Sequence, residues 1–319
     1  MSSSRKKTLA FTIRLAGSLI STVLFVWLIS HQKWDVVFTK AAGIAYWAIL
    51  LATTFYLLSY WFNTLRWCLL LWAQGVKISL WQAYRLTWAG NFASNFLPGT
   101  VGGDGFRMLA VHPYTGSKSL SIGSVALDRI INMSAMACLL PAPVLVFGSS
   151  LLSLMGHLFG YTPKPVSFTL VLPAALQKLV EKYFPKVVNA LRLWSSKPSA
   201  FLYAFLAAWP SNLLPIAATW LIAHQLGINV SYWQVIGVQT ITYFLSVLPI
   251  SVNGYGLREA LFTSLYASLG ASLEQASTLA LVTRFVMILC TVPGAIWLTS
   301  AVTENLNLED AGVAEDSRQ

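Results

Sequence analysis

The sequence predicts an all-α, polytopic membrane protein with about six spanning helices plus two re-entrant broken-helix hairpins in an inverted repeat. Three observations carry this expectation. Of 319 residues, 56% are hydrophobic and only 10% are charged. The Lys and Arg sit at the edges of apolar runs, and two apolar segments are interrupted by the same Pro/Gly/Arg pattern. A soluble fold this apolar has too few charges to cover its surface, whereas a bilayer accepts apolar surface over roughly 30 Å and asks for spans of about 20 residues. The 13 Trp and 12 Tyr agree, because amphipathic rings collect where headgroups meet acyl chains.

The first element follows Arg5-Lys6-Lys7 and runs from Leu9 to Ile29. It is too long for a cleaved signal, and no small-residue cleavage site follows, so it is read as the first span with a cytoplasmic N-terminus. Further spans are expected at 44–65, 120–147, 201–223 and 274–300, with one more crossing inside 148–176, where Tyr161-Thr-Pro-Lys-Pro165 interrupts two short apolar pieces. Residues 177–197 are basic, with Lys178, Lys182, Lys186, Arg192 and Lys197 against Glu181, and read as a cytoplasmic loop, either solvated or laid on the membrane as an amphipathic helix. The membrane domain then spans 1–303. Residues 304–319, with five acidic side chains against Arg318, read as a disordered cytoplasmic tail.

A net charge of +10 could advertise nucleic acid, but the basic residues border apolar runs, where they set orientation. Nucleic acid is therefore not expected as a partner. Cys68, Cys138 and Cys290 are far apart inside apolar stretches and read as small buried hydrophobes. His31, His112, His157 and His224 are scattered, and no metal-ligand spacing, nucleophile elbow or nucleotide loop is present, so neither a cofactor nor a metal is expected.

The interrupted segments lie at 79–118 and 231–270. The first contains Leu97-Pro-Gly-Thr-Val-Gly-Gly-Asp-Gly-Phe-Arg107 and the second Leu248-Pro-Ile-Ser-Val-Asn-Gly-Tyr-Gly-Leu-Arg258, identical at six of eleven positions without a gap. Trp81-Gln82 and Trp233-Gln234 open each segment, and each leads to a span carrying an Arg, Arg129 or Arg284. This defines repeat one as about 79–147 and repeat two as about 231–300. Pro98 and Pro249 stop a helix, and Gly102, Gly103 and Gly105, like Gly254 and Gly256, read as the glycines of a tight hairpin turn. Asn95 and Asn253 are placed to cap or hydrogen-bond the turned backbone. In hydrocarbon such a turn persists only when buried in protein or lining a polar cavity. Counting crossings from a cytoplasmic N-terminus inserts the two hairpins from opposite faces, as in transporters built from inverted repeats. Ordinary interfacial loops between full spans are the alternative.

Arg129 and Arg284 lie in apolar spans, where a charge costs about 2.5–3.5 kcal/mol and needs a partner. Asp128 is adjacent to Arg129, but neighbouring helical positions do not face each other, so a carboxylate from elsewhere or an anionic ligand is the better partner. Arg107, Arg258 and Glu259 follow the glycines directly. Arg107 and Arg258 either contact a ligand or snorkel to the interface. Arg129 and Arg284 either contact a ligand or form an ion pair with Asp128 or Glu259. The candidate substrate-binding set is therefore Arg107, Arg258, Arg129, Arg284, Asp128, Glu259 and Asp104, with Arg favoured for its bidentate grip on phosphate.

Asn95-Phe-Leu-Pro98, Gly102-Gly-Asp-Gly-Phe-Arg107, Leu127-Asp-Arg-Ile130, Leu248-Pro-Ile-Ser251 and Gly254-Tyr-Gly-Leu-Arg-Glu259, in this order, resemble the lysylphosphatidylglycerol synthase transmembrane-region family of flippase-like proteins, over roughly residues 10–300. The resemblance implies translocation of a lipid between leaflets. Residues 301–319 are too few for a synthase domain, so synthesis is not carried over. The expectation is flippase-like transport of a phosphate-containing amphiphile, a membrane phospholipid or other anionic lipid, across the cytoplasmic membrane. The rivals are a membrane enzyme using Asp104, Asp128 or Glu259 as acid and base, and an accessory subunit of a lipid-modifying enzyme. A homo-oligomer is compatible with either.

Overall fold

Two 28-residue helices, each about 42 Å long at 1.5 Å per residue, form the backbone of the computed structural model, which describes residues 34–95, 102–148, 197–247 and 257–298. In chain order the helices are α1 (Trp34–Ala42), α2 (Tyr46–Ala73), α3 (Leu80–Ser94), α4 (Gly102–Ala110), α5 (His112–Thr115), α6 (Lys118–Ala137), α7 (Pro141–Gly148), α8 (Pro198–Gln225), α9 (Tyr232–Val247), α10 (Leu257–Ser268) and α11 (Leu273–Thr291). No strand occurs among the described residues. The predicted first span, the crossing within 148–176, the basic loop up to residue 196 and the acidic tail lie outside them.

Helices α2, α8 and α11 are long and apolar enough to cross a membrane, and α6 with α7 makes a fourth such segment, bent by 41°. With this content of apolar helix the chain is an integral membrane protein. The expected spans at 44–65, 201–223 and 274–300 correspond to α2, α8 and α11, although α2 continues to Ala73. That extension matters because it carries Arg66 inside a spanning helix.

The most extensive helix pair is α2 with α8. The buried stripe of α2 runs through Ala48, Ala52, Tyr56, Ser59, Arg66 and Leu70, and that of α8 through Ala204, Ala208, Ala218 and Ile222. Small side chains let the backbones approach, the usual means of helix association where lipid removes the hydrophobic drive. The pair is antiparallel: the backbone N–H of Ala45, at the start of α2, donates to Gln225 Oε1, at the end of α8, while Arg66 reaches Ser211.

The same local devices recur along the chain. Both long helices end two residues before a left-handed glycine, Gly75 at φ 77° and Gly227 at φ 73°, which closes the helix C-terminus as only glycine does without strain. Ser79 and Gln82 form a reciprocal capping box at the start of α3, and Ser231 and Gln234 do so at the start of α9. From 46 to 198, 75 to 227 and 79 to 231 the displacement is constant at 152 positions. Ser117 and Ser272 then cap α6 and α11.

The glycines expected to form the first hairpin turn are helical instead. Gly102, Gly103 and Gly105 open α4, and none has positive φ. Gly103 serves close packing: a Cβ there would run into the Gly90 carbonyl oxygen and Ser94 Oγ on α3. Gly105 faces open space. Pro98, Pro249, Asn253, Gly254 and Gly256 lie outside the described residues. Asn95, at the end of α3, donates from Nδ2 to Thr291 Oγ1 on α11 at 2.9 Å, and the turn that it was expected to cap lies outside the described residues.

Candidate functional site

The stripe of α2 that packs on α8 turns polar at Ser59, Asn63 and Arg66, and the neighbouring helices answer it. Arg66 is 3% exposed and uses its whole fork: Nε donates to Asp128 Oδ1 at 2.7 Å, Nη1 to Asn132 Oδ1 at 2.6 Å and Ser211 Oγ at 3.1 Å, and Nη2 to Asn63 Oδ1 at 2.8 Å. Asp128 and Asn132 are four apart on α6 and therefore share its face. Ser211 and Asn212 lie on α8 between Pro210 and Pro215. Each proline removes one intrahelical hydrogen bond, which loosens backbone polarity beside this site, where polar neighbours can satisfy it.

Asp128 also receives Arg107, whose Nη1 and Nη2 both stand 3.2 Å from Oδ2. Arg107 reaches it because Gly90 has no side chain; a Cβ there would come within 2.8 Å of the Arg107 Cγ. The guanidinium lies 4.1 Å above the ring of Trp67, itself fixed by Nε1 donating to Ser124 Oγ at 3.2 Å. Asp104 sits 3.6 Å from Arg107 and pairs with Arg129. Arg129 thus takes a carboxylate from another helix and not its neighbour Asp128, as helical geometry requires.

A second pair repeats the first. Arg284 on α11 donates from Nε to Glu259 Oε1 on α10 at 2.7 Å, with Nη2 at 2.6 Å. Both pairs join residues 25 apart. Each acid is the third residue of its helix, α4 or α10, and each Arg follows its helix-capping serine by twelve positions (117 to 129, 272 to 284).

Arg258 differs from the other four. No carboxylate stands within 4 Å of its guanidinium among the described residues; its nearest ring is Phe262, at 6.0 Å. It lines a cavity of about 230 Å³ between α2, α6, α8, α9, α10 and α11, together with Tyr56, Tyr60, Asn212 and Gln239. A second cavity of about 200 Å³ is lined by Arg66, Asp104, Arg107, Asp128 and Arg129. The two share Asn63, Asn132 and Tyr243 as walls, so they form adjoining chambers. Among the described residues five guanidinium groups here meet three carboxylates, an excess of two positive charges. No cluster of three metal-ligating side chains occurs among the described residues.

The sequence profile of the family described as the lysylphosphatidylglycerol synthase TM region matches residues 14–294. The chain belongs to this family. The lysylphosphatidylglycerol synthase TM region is a membrane domain with a lipid-related function, and the match includes every charged residue of both chambers. The chain matches no curated protein.

Five of the seven residues of the expected substrate-binding set in this family member line the two chambers, Asp104, Arg107, Asp128, Arg129 and Arg258, while Glu259 and Arg284 line neither. Asp128 and Arg107 are mutual partners, Asp104 and Arg129 form a second pair, Glu259 and Arg284 a third, and Arg258 faces the cavity. The residues missed are Arg66 and the neutral wall of Asn63, Asn132, Asn212, Gln239 and Tyr243. Arg66 had a legible signal, a lone charge inside an apolar segment. The carboxamides had none, because Asn and Gln at helical spacing read equally well as capping or surface residues.

Proposed function

We propose that this protein moves a phosphate-bearing amphiphile between the leaflets of the cytoplasmic membrane, with the headgroup held in the chamber of Arg258 and the tails left in lipid. The observation that carries this reading is Arg258 itself, a cation facing a cavity of mixed polar and apolar lining without a carboxylate at ion-pair distance among the described residues. An unneutralised guanidinium at membrane depth is costly unless an anion arrives to meet it, and a phosphate offers the bidentate match. The three carboxylates already accept from Arg side chains, which favours holding a ligand over proton transfer.

Alternating access follows from an inverted repeat. Segment α2–α3–α4–α6 and segment α8–α9–α10–α11 use the same caps, the same glycine stops and the same 25-residue ion pair, and the leading helices run antiparallel. Two such halves inserted from opposite faces would rock about the shared wall of Asn63, Asn132 and Tyr243 and open the chambers to one face at a time.

The test is transbilayer movement of fluorescent phospholipids in proteoliposomes. Arg258→Gln is expected to slow movement of anionic lipids at least about tenfold, the effect of losing roughly 1.4 kcal/mol of binding, in protein that reconstitutes normally. Unchanged movement of every anionic lipid by the Arg107→Gln/Arg258→Gln protein would overturn the reading.

A further inference from the structure

Building on that lipid-binding reading, we infer that the ligand is an anionic phospholipid whose phosphate carries a neutral polyol, and that amine-bearing headgroups are excluded. The Arg258 chamber has one charged wall and a neutral one. A headgroup ammonium placed there would find no uncommitted carboxylate among the described residues: Asp128 accepts from Arg66 and Arg107, Asp104 from Arg129, and Glu259 from Arg284. It would also meet the local excess of two positive charges. A lysyl-bearing headgroup, with two amines to one phosphate, is the least suited of all.

The neutral wall, which also carries Met136, Pro215, Ile216 and Met287, holds a polar strip suited to hydroxyl groups. Asn132 is oriented from both ends: its Oδ1 takes donors from Arg66 at 2.6 Å and Asn212 at 3.1 Å, so its Nδ2 faces Tyr243 and donates to the phenol oxygen at 3.0 Å. Tyr243, acting as acceptor in that bond, keeps its own O–H for a ligand. Asn212 Oδ1 and Gln239 Oε1 carry no hydrogen bond among the described residues; Asn212 directs its amide N–H groups to Asn132 and Ala208, and Gln239 directs one of its own to Thr219. The Tyr243 and Tyr56 hydroxyls and two open acceptors beside a lone guanidinium match a phosphate with vicinal hydroxyls, as in a glycerol or inositol headgroup. Each hydroxyl both donates and accepts, and binding it satisfies polar groups that burial otherwise leaves costly.

The experiment is competitive retention of defined lipids by the purified full-length chain, read by native mass spectrometry. An equimolar mixture of phosphatidylglycerol, phosphatidylinositol, phosphatidate, phosphatidylethanolamine and lysyl-phosphatidylglycerol is used, with sn-glycerol 3-phosphate in a separate arm. Phosphatidylglycerol or phosphatidylinositol is expected to exceed phosphatidate, and both amine lipids, by about tenfold or more. Tyr243→Phe/Gln239→Met, which leaves every ion pair intact, should bring the polyol lipids down to the level of phosphatidate. Arg258→Gln should lower all anionic lipids together. Retention of either amine lipid at the level of phosphatidylglycerol, or no change in the polyol preference of the double variant, would overturn the headgroup assignment and leave lipid binding standing. Binding of sn-glycerol 3-phosphate without retention of any lipid would instead overturn the lipid reading and leave the headgroup chemistry standing.

Discussion

Arg284 reaches back 25 residues to Glu259 and donates to its Oε1 from Nε at 2.7 Å, joining the helix after the second break to the helix that follows it. Asp104 and Arg129 make the same link in the first half, but their surroundings differ. The Arg284 side chain is 8% exposed and Glu259 2%, whereas Arg129 is 37% exposed. Removing one partner of a buried pair strands the other charge, at a cost of about 3–5 kcal/mol, whereas loss of the buried Asp104 carboxylate leaves Arg129 able to turn to solvent and Arg107 still held by Asp128. Glu259→Gln is therefore expected to lower the melting temperature of the detergent-purified protein much more than Asp104→Asn, and the swap Glu259→Arg/Arg284→Glu to recover part of the loss. Equal shifts for the two single variants would show that burial does not set the difference.

Asp128 carries more than any other residue of the site, since Arg66 and Arg107 both rest on it while 3% and 5% exposed. Asp128→Asn leaves the buried Arg66 with neutral acceptors alone and the buried Arg107 with Asp104, 3.6 Å away, as its one carboxylate among the described residues. Its expected effect, measured as thermal stability, is at least that of Glu259→Gln, about 3–5 kcal/mol or more. Arg66→Met added to Asp128→Leu should restore stability relative to Asp128→Leu alone, because a hydrophobic replacement removes the stranded charge. If the combination is worse than either single change, Arg66 is held chiefly by Asn63, Asn132 and Ser211.

Gly103 and Gly105 separate two meanings of glycine on one helix. A methyl at Gly103 would collide with the Gly90 carbonyl and Ser94, forcing α4 away from α3, whereas a methyl at Gly105 meets nothing within 4 Å. Gly103→Ala is expected to destabilise by about 1–3 kcal/mol, as overpacking does. Gly105→Ala should be neutral or stabilise by up to about 1 kcal/mol, the helix-propensity gain of Ala over Gly. Paired melting curves decide it; similar losses for both would mean that the glycines are needed for backbone freedom and not for close approach.

Apolar periodicity made α2, α8 and α11 legible, because a span of this length leaves an uninterrupted run whatever it packs against. The capping boxes were visible as Trp-Gln pairs at 81–82 and 233–234, though their role as helix starts needed the serine three positions before each Gln. The acids and arginines were recognisable as a set, since each is expensive in lipid. Their pairing was not: Asp104 reaches Arg129, and Arg107 reaches Asp128, through a close approach of α3 and α4 that depends on Gly90 and Gly103. A sequence shows that glycine is small without showing what comes near it. For the same reason Gly102, Gly103 and Gly105 read as turn formers, whereas all three are helical and Gly103 alone of the pair Gly103 and Gly105 is needed for close packing.

Arg258 and Arg66 should part company when stability and ligand binding are measured on the same protein. Arg66 donates to four side chains from α2, α6 and α8, so Arg66→Gln is expected to lower both the melting temperature and the retention of anionic lipid. Arg258 has no ion pair among the described residues, and it faces the cavity. Arg258→Gln removes a desolvated charge without stranding a partner, so its stability should hold within about 1 kcal/mol of the wild type or rise. Lipid retention should nevertheless fall at least about tenfold, because the phosphate loses the one cation that lines that chamber among the described residues. A melting temperature that collapses with Arg258→Gln would place this residue among the structural ion pairs and remove the main support for a headgroup site.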